Sequence, residues 1–465
     1  MAKAATPRDM LWGYIAQSLN IGAGLILLPI ILHYFNSEDV GLWFVFITLA
    51  SLAQLLEFGF QPTLARNTAY VYAGAQSLNK HGLPSQYEPA GQLNILLLAD
   101  LVKASRTIYR IVAALAAIVL LGLGSFYIST LLTPKQSTIS SLLAWVFFAS
   151  GYVSSFYFGY YNGLLQGRGD ITAANKIVAA TRGGLVLFGA AAVIAGWGLL
   201  GLGVASLLSS VGGRLMAWRY FNASMPHELA MAIAAPSKDG LLIRTLWHNA
   251  SRLGAVQIGA FLVQRGNILI ASSFIGLTAA ASYGMTITIL MTLMTVALVI
   301  NQVQMPHMYA LQAEGKRSQL KSVYGESLII GWLVYLIGFS VIGLWGHLLL
   351  EIIGSKTEIL PVEQLLILGL IFLLELNHIV AANYLTTANY IPFISASIWS
   401  GIATMILSLT LIKPIEIWGL IAAQGLVQLA YNNWKWPIEA VRHLGSKITE
   451  ILSDGSLRIV KHFKK

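Results

Sequence analysis

Residues 11–34, LWGYIAQSLNIGAGLILLPIILHY, form one apolar run that is long enough to cross a membrane. A spanning helix needs roughly 20 mostly apolar residues. After the short acidic turn at 36–39, NSED, a second apolar run begins at once. The first run is too long for a cleavable signal peptide, and it leads straight into another span. It therefore predicts a first transmembrane helix.

The same pattern continues along the whole chain of 465 residues, which is 56% hydrophobic and 10% charged. Soluble domains carry roughly 25% charged residues, so the composition indicates an all-α integral membrane protein. Its apolar runs predict about twelve transmembrane helices. Their bounds lie near 11–34, 40–58, 108–131, 140–162, 173–195, 197–219, 248–274, 280–306, 325–349, 362–384, 391–411 and 414–433.

The basic residues fix the predicted orientation. With a cytoplasmic N-terminus, 24 of the 29 Lys and Arg residues fall on the cytoplasmic side, which is the bias expected of inner-membrane proteins. Three fall in outward loops (Lys135, Lys356 and Lys413), and two lie inside spans (Arg182 and Arg265). This bias and a basic tail explain the net charge of +10 without nucleic acid. Both termini are predicted to be cytoplasmic.

A long inward segment at 221–247 divides the chain into two predicted lobes of six spans each. The N-terminal lobe covers 1–220 and the C-terminal lobe 248–433, followed by a basic amphipathic cytoplasmic tail at 434–465. An offset of 240 residues aligns Gln17 with Gln257 and suggests a weak parallel repeat. Two such lobes around a central cavity are typical of alternating-access transporters.

Two inward segments have the pattern of amphipathic helices that lie on the membrane surface. One is 91–106, and the other is the stripe formed by Val441, Leu444, Ile448 and Ile451. Interfacial anchoring is the preferred interpretation, and a regulatory or partner surface is the alternative.

Arg265 is the strongest candidate for substrate contact, because it lies near mid-membrane in its predicted span. A charged group there is costly unless it faces water, a counter-charge or a bound anion. Gln257 and Gln264 share its side of the helix, and Asn267 follows two residues later. The alternative is a structural arginine paired with a carboxylate on another helix.

The remaining candidates are also polar residues inside spans. Arg182, before the pair Gly183-Gly184, is a possible anion contact, although it could also reach the inner interface. Glu375 and His378 share a helix face and are candidates for ion coupling, with static pairing of Glu375 to Arg265 as the alternative. Gln17 and Asn20 could hydrogen-bond a sugar, or simply join helices.

GLW at 41–43 and LLEFGFQPTLARN at 55–67 resemble the second span and following loop of Wzx-type O-unit flippases, which belong to the MOP superfamily. TANYIPF at 387–393 is similar to a later region of that family. The resemblance implies a bacterial inner-membrane protein that moves an undecaprenyl-diphosphate-linked oligosaccharide, such as an O-antigen unit of lipopolysaccharide, to the periplasmic leaflet. It also implies a cationic cavity, an ion gradient as driving force and possible contact with other polysaccharide-assembly membrane proteins.

Two other functions remain open. A MATE-like multidrug or organic-ion antiporter would have the same lobes, but we would expect an acidic residue deep in span one, where this chain has only Gln17 and Asn20. An O-antigen polymerase would need a large outward loop, and the longest predicted here is about 15 residues. The sequence has no Walker motif, metal-ligand cluster or cysteine, so it predicts a transporter without catalytic residues or a cofactor.

Overall fold

A computed structural model describes residues 7–57, 59–78, 93–132, 138–235, 241–388 and 392–463. Over these ranges the chain is helical and forms no strand. The predicted outward-loop residue Lys135, and residues 389–391 of the TANYIPF motif, lie outside the described residues.

The first eleven α-helices and two irregular turns follow one another in chain order. They are α1 (Pro7–Tyr34), α2 (Ser37–Gln54), a 3-10 turn (Leu55–Glu57), α3 (Phe60–Tyr72), α4 (Ile95–Ala117), a π-helical turn (Ile118–Gly124), α5 (Ser125–Leu131), α6 (Thr138–Tyr157), α7 (Tyr160–Arg168), α8 (Ile171–Ile194), α9 (Gly198–Ala223), α10 (His227–Ala234) and α11 (Leu241–Gln264).

The other helices are α12 (Gly266–Phe274), α13 (Leu277–Ala297), α14 (Val299–Ala313), α15 (Arg317–Ile353), α16 (Val362–Thr387), α17 (Ile394–Ala430), α18 (Asn432–Leu444) and α19 (Ile448–Phe463). The chain divides into two compact units. Unit 1 comprises Met1–Asp39 and Phe46–Gln257, and unit 2 comprises Val40–Val45 and Ile258–Lys465.

Nine helical stretches among the described residues are long and apolar enough to cross a membrane. A tenth is added if Leu11–Asn20 and Gly22–Tyr34, the two arms of α1 bent by 42°, form one span. The all-α, multi-span class is therefore confirmed. The predicted span at 248–274 falls on α11 and α12, where several side chains lie outside the description. The predicted spans at 391–411 and 414–433 fall within a single stretch, Ile394–Leu444.

That single stretch contains a reversal of the chain. Ile415 and Glu416 have non-helical backbone angles, and Glu416 has a φ of 47°. A methyl group on Gly419 would collide with the backbone carbonyl of Leu411. In a straight helix these two residues, eight positions apart, would be separated by about 12 Å along the axis. α17 is therefore two helices that run back along one another.

The predicted surface helix at 91–106 is not a separate element. Its described part belongs to α4, which continues through the π-helical turn into α5. The π turn is held by Trp145, whose indole N–H donates to the carbonyl oxygen of Leu120 at 3.1 Å. Leu98 and Leu101, on the apolar face of α4, are fully buried by protein. Leu96 is 72% exposed, so other helices cover the apolar residues of this segment only in part.

The C-terminal stripe is covered by protein in part: within unit 2, Leu444 and Ile451 are buried, whereas Ile448 is 44% exposed. Ile451 of α19 is fully buried, and its carbonyl lies against Gly325 of α15. Gly455 meets the backbone of Gly325 on the same side, so the two helices cross at a pair of glycines. Close crossings of this kind need residues without side chains.

Candidate functional site

Unit 1 contains a cavity of about 630 Å³, within the range of small-molecule sites. Its wall comes from α1, the end of α2, the start of α3 and the turn between them, α6, α7, α8, α9 and α11. Three charged side chains line it: Arg182, Arg214 and Glu57. Most of the other polar lining residues carry amides or hydroxyls, which can hydrogen-bond sugars or phosphates.

The two arginines reach the same wall because α8 and α9 cross closely. A methyl group on Gly213 of α9 would collide with the hydroxyl of Thr181 on α8. Thr181 satisfies its own hydroxyl by donating to the carbonyl of Ile177 at 2.8 Å. Since Arg182 and Arg214 follow these two crossing residues directly in sequence, their guanidinium groups come within electrostatic range of each other.

Arg182 is half-buried, and its Nε donates a hydrogen bond to Oδ1 of Asn20 on α1 at 3.0 Å. Asn20 is neutral, so this contact orients the guanidinium without cancelling its charge. Asn20 also ends the first arm of the bent helix α1. The predicted candidates Arg182 and Asn20 are therefore direct partners in the cavity wall.

Glu57 ends the 3-10 turn between α2 and α3. Gly59 then takes the left-handed conformation, with a φ of 72°, which glycine adopts without strain. The hydroxyl of Tyr109 on α4 donates to Oε1 of Glu57 at 2.7 Å. Glu57 also lies within electrostatic range of Arg214. The interruption between the helices thus brings a carboxylate into a wall that carries two cations.

Three polar atoms in the cavity wall have no hydrogen-bonding partner among the described residues. They are Nε of Arg214, Oγ of Ser209 and Oδ1 of Asn162, all shielded within the wall. Buried polar groups are nearly always satisfied, by protein, water or ligand. The wall around the cavity therefore holds two donor groups and an acceptor that have no partner among the described residues.

Four of the predicted site residues line this cavity: Gln17, Asn20, Arg182 and Gln257. Arg265 and Gln264 belong to unit 2, where the helix breaks between α11 and α12. Arg265 itself has the non-helical angles of the break, a feature that often marks binding sites in transporter helices.

Asn267, the other predicted substrate contact in unit 2, is fully buried in helix packing. Its amide nitrogen donates to the carbonyl of Leu420 at 3.2 Å and to the hydroxyl of Tyr283 at 3.3 Å. Its Oδ1 accepts from Ser408 at 2.8 Å. The structure therefore places Asn267 among α12, α13 and α17, where it joins helices.

The candidates for ion coupling, Glu375 and His378, are on α16 in unit 2. Glu375 is 1% exposed and accepts a hydrogen bond from Nε2 of Gln424 at 2.8 Å, with Gln264 as a second donor. The Nδ1 of His378 lies 3.4 Å from Oδ1 of Asn433. Each of the two groups thus has its own amide partner.

Solved structures show which fold this is. The chain is similar to a multidrug resistance MATE family transporter of the MOP superfamily in an inward-facing conformation. That match has a TM-score of 0.71 and 12% identity, and it covers 94% of this chain and 99% of the other. The chain is also similar to the MATE multidrug transporter DinF-BH, with a TM-score of 0.63, 13% identity and coverages of 95% and 97%.

This chain shares the fold of these MATE transporters. A third structure with this fold, a MOP superfamily transporter from Pyrococcus furiosus with a binding pocket described as having reverse polarity, matches with a TM-score of 0.55 and 13% identity over 95% of each chain. No protein-family model matches the chain, and no curated protein is similar to it in sequence. The many described helices that are long and apolar enough to cross a membrane make this a multi-pass membrane protein, and its structural neighbours are transporters.

Arg214 and Glu57 line the cavity but are not among the site residues predicted from the sequence. One sequence signal could have found Arg214: it follows Gly212-Gly213, just as Arg182 precedes Gly183-Gly184. An arginine next to paired glycines inside an apolar run indicates a close helix crossing. The partnership of Glu57 with Tyr109 joins positions 52 residues apart and has no local signal.

Proposed function

We propose that this protein is a flippase for undecaprenyl-diphosphate-linked oligosaccharide repeat units, working by alternating access in the bacterial inner membrane with both termini cytoplasmic. The observation that carries the proposal is the pair Arg182 and Arg214 in the wall of one cavity. A diphosphate is a compact anion, and arginine suits it because the guanidinium offers a planar fork of donors.

The charges of the cavity favour an anionic ligand. Two guanidinium groups within electrostatic range repel each other, and the repulsion is stronger where protein displaces water. An anion between them would relieve this repulsion. The amides and hydroxyls around them, including Gln17, Asn162 and Ser209, suit the sugars that follow the diphosphate.

The proposal can be tested by measuring surface polysaccharide in a strain from which the gene for this protein has been deleted and which carries each variant instead. We expect Arg182→Ala and Arg214→Ala each to lower output about tenfold or more at matched protein abundance, because a hydrogen bond to a charged group contributes about 1.5–3 kcal/mol. Arg219→Ala is the matched control, since Arg219 is an exposed arginine on the same helix as Arg214. Normal polysaccharide from both cavity variants would refute the proposal.

Arg265 remains a predicted substrate contact, and the same assay tests it. Arg265→Lys keeps the charge and loses the bidentate fork, so we expect partial output, whereas Arg265→Ala should lose it. Output equal to wild type from Arg265→Ala would remove this residue from the proposal.

A MATE-like antiporter for organic cations is the second candidate, favoured by the fold neighbours and by Glu57 as an acidic residue in the cavity. It predicts that cells expressing the chain export cationic dyes, and that Glu57→Gln abolishes export. Arg182→Ala should then leave export intact or increase it. Dye export with that dependence, together with normal surface polysaccharide in the deletion strain, would replace the flippase proposal.

A further inference from the structure

We infer that Glu57 is an affinity-setting residue: its carboxylate, held by Tyr109, competes electrostatically with the substrate diphosphate for Arg214. This inference rests on the proposed function, because it concerns how the same cavity holds an anion and then releases it. A transporter that bound its anion through two unopposed arginines would release it slowly.

The carboxylate of Glu57 is fixed in place. The Tyr109 side chain that holds it is 1% exposed, so this hydroxyl is directed by packing. The ring fits because Gly159 has no side chain: a methyl there would lie 2.7 Å from Cε1 of Tyr109. The position of Glu57 therefore depends on a buried contact with a third helix, and not on Arg214.

Glu57 does not hold the Nε of Arg214 in a hydrogen bond. The two groups are within electrostatic range, yet Nε of Arg214 has no hydrogen-bonding partner among the residues that the structure covers. By contrast, the guanidinium of Arg458 contacts Glu326 directly, with its Nε 2.7 Å from the carboxylate. Glu57 thus offsets the charge of Arg214 without holding its Nε in a hydrogen bond.

This arrangement separates the two functions of the acidic group. Its charge lowers the affinity of the cavity for an anion, and its hydrogen bond to Tyr109 keeps it from closing onto Arg214. Removing the charge and removing the tether should therefore change anion affinity in opposite directions. A purely structural role for the Glu57–Tyr109 contact would weaken binding in both cases.

The experiment measures binding of farnesyl diphosphate, a short polyprenyl diphosphate, to the full-length protein in nanodiscs by calorimetry. We expect Glu57→Gln to bind the diphosphate about tenfold more tightly than wild type, because one unit of opposing charge is lost. We expect Tyr109→Phe to bind it about threefold more weakly, because the carboxylate of Glu57 is then free to pair with Arg214. In the double variant the Tyr109→Phe effect should disappear. Thermal unfolding of each variant confirms that it is folded.

Transport provides a second readout. If release limits turnover, Glu57→Gln should lower both the apparent KM and the maximal rate of flipping in proteoliposomes. Unchanged or weaker diphosphate binding by Glu57→Gln overturns the inference. If Glu57→Gln does not fold, unchanged or tighter diphosphate binding by Tyr109→Phe overturns the inference instead. If the wild-type protein binds the diphosphate and the Arg214→Ala variant does not, the proposed function stands whether or not the inference about Glu57 holds. If wild type binds no diphosphate, both fail.

Discussion

Replacing Arg458 by alanine tests how the C-terminal helix α19 is held in unit 2. The Nε of Arg458 donates to Oε2 of Glu326 on α15 at 2.7 Å, and Nε2 of Gln304 donates to the same oxygen at 2.9 Å. The side chain of Glu326 is 3% exposed and that of Arg458 is 28% exposed. The substitution would take the arginine away from a buried carboxylate that Gln304 still contacts.

The expected cost follows from this geometry. Breaking a buried ion pair by removing one partner costs about 3–5 kcal/mol, because the remaining charge stays buried. Arg458 is partly exposed and Gln304 still contacts the carboxylate, so we expect the free energy of unfolding to fall by about 2–3 kcal/mol. Glu326→Gln removes the charge that would be stranded. The double variant Arg458→Ala with Glu326→Gln should therefore recover about 1 kcal/mol or more.

The assay is unfolding of the purified protein in mixed micelles, titrated with a denaturing detergent, together with limited proteolysis of α19. Lys461→Ala is the control, because Lys461 is an exposed cation on the same helix. We expect that control to stay within about 0.5 kcal/mol of wild type. An Arg458→Ala protein as stable as the control, with α19 equally resistant to protease, would show that the glycine crossing holds the helix without the ion pair.

Three further predictions concern topology, coupling and the cavity. The chain has no native cysteine, and Ser318 and Ser355 lie near opposite ends of α15, which spans 37 residues. Ser355→Cys should therefore react with an impermeant thiol reagent added from outside, whereas Ser318→Cys should not. Labelling of both variants or of neither would overturn the predicted orientation. Glu375→Gln cannot ionise and should abolish gradient-driven polysaccharide export while diphosphate binding persists; full export would remove Glu375 from coupling. Gly213→Ala forces a methyl against Thr181, so it should lower stability by about 1–3 kcal/mol and weaken diphosphate binding; unchanged binding by the folded variant would show that the crossing does not position the arginines.

The helices could be predicted from sequence because hydropathy and length dictate them, but their surroundings could not. The pattern of α4 and α19 shows an apolar face and does not tell whether lipid or protein covers it. Leu101 and Ile451 are both covered by protein, and in α19 the decisive feature is Gly325, a residue more than a hundred positions away. Contacts between distant segments leave no periodic signal in either segment.

The candidate site was predictable in part for a similar reason. Depth along the span singled out Arg182, which lies in the cavity wall, because a charged group inside an apolar run is easy to recognise. Arg214 was missed because it lies near the inner end of its predicted span, where arginines are common. The continuation of α9 to Ala223 makes Arg214 an intrahelical residue. The role of Glu57 depends on Tyr109 and Gly159, which only the folded chain brings together.

The reversal at Ile415 and Glu416 bears on how the protein enters the membrane during synthesis. Almost no chain separates the two arms of α17, so the first arm cannot settle across the bilayer before the second begins to leave the ribosome. In the predicted orientation, we expect the two arms to insert together as a hairpin, with the turn between them crossing first. Lys413 and Glu416, of opposite charge, lie near this turn and would cross in the same event. A ribosome that stalls within the second arm would leave the first without the partner it needs to stay inserted.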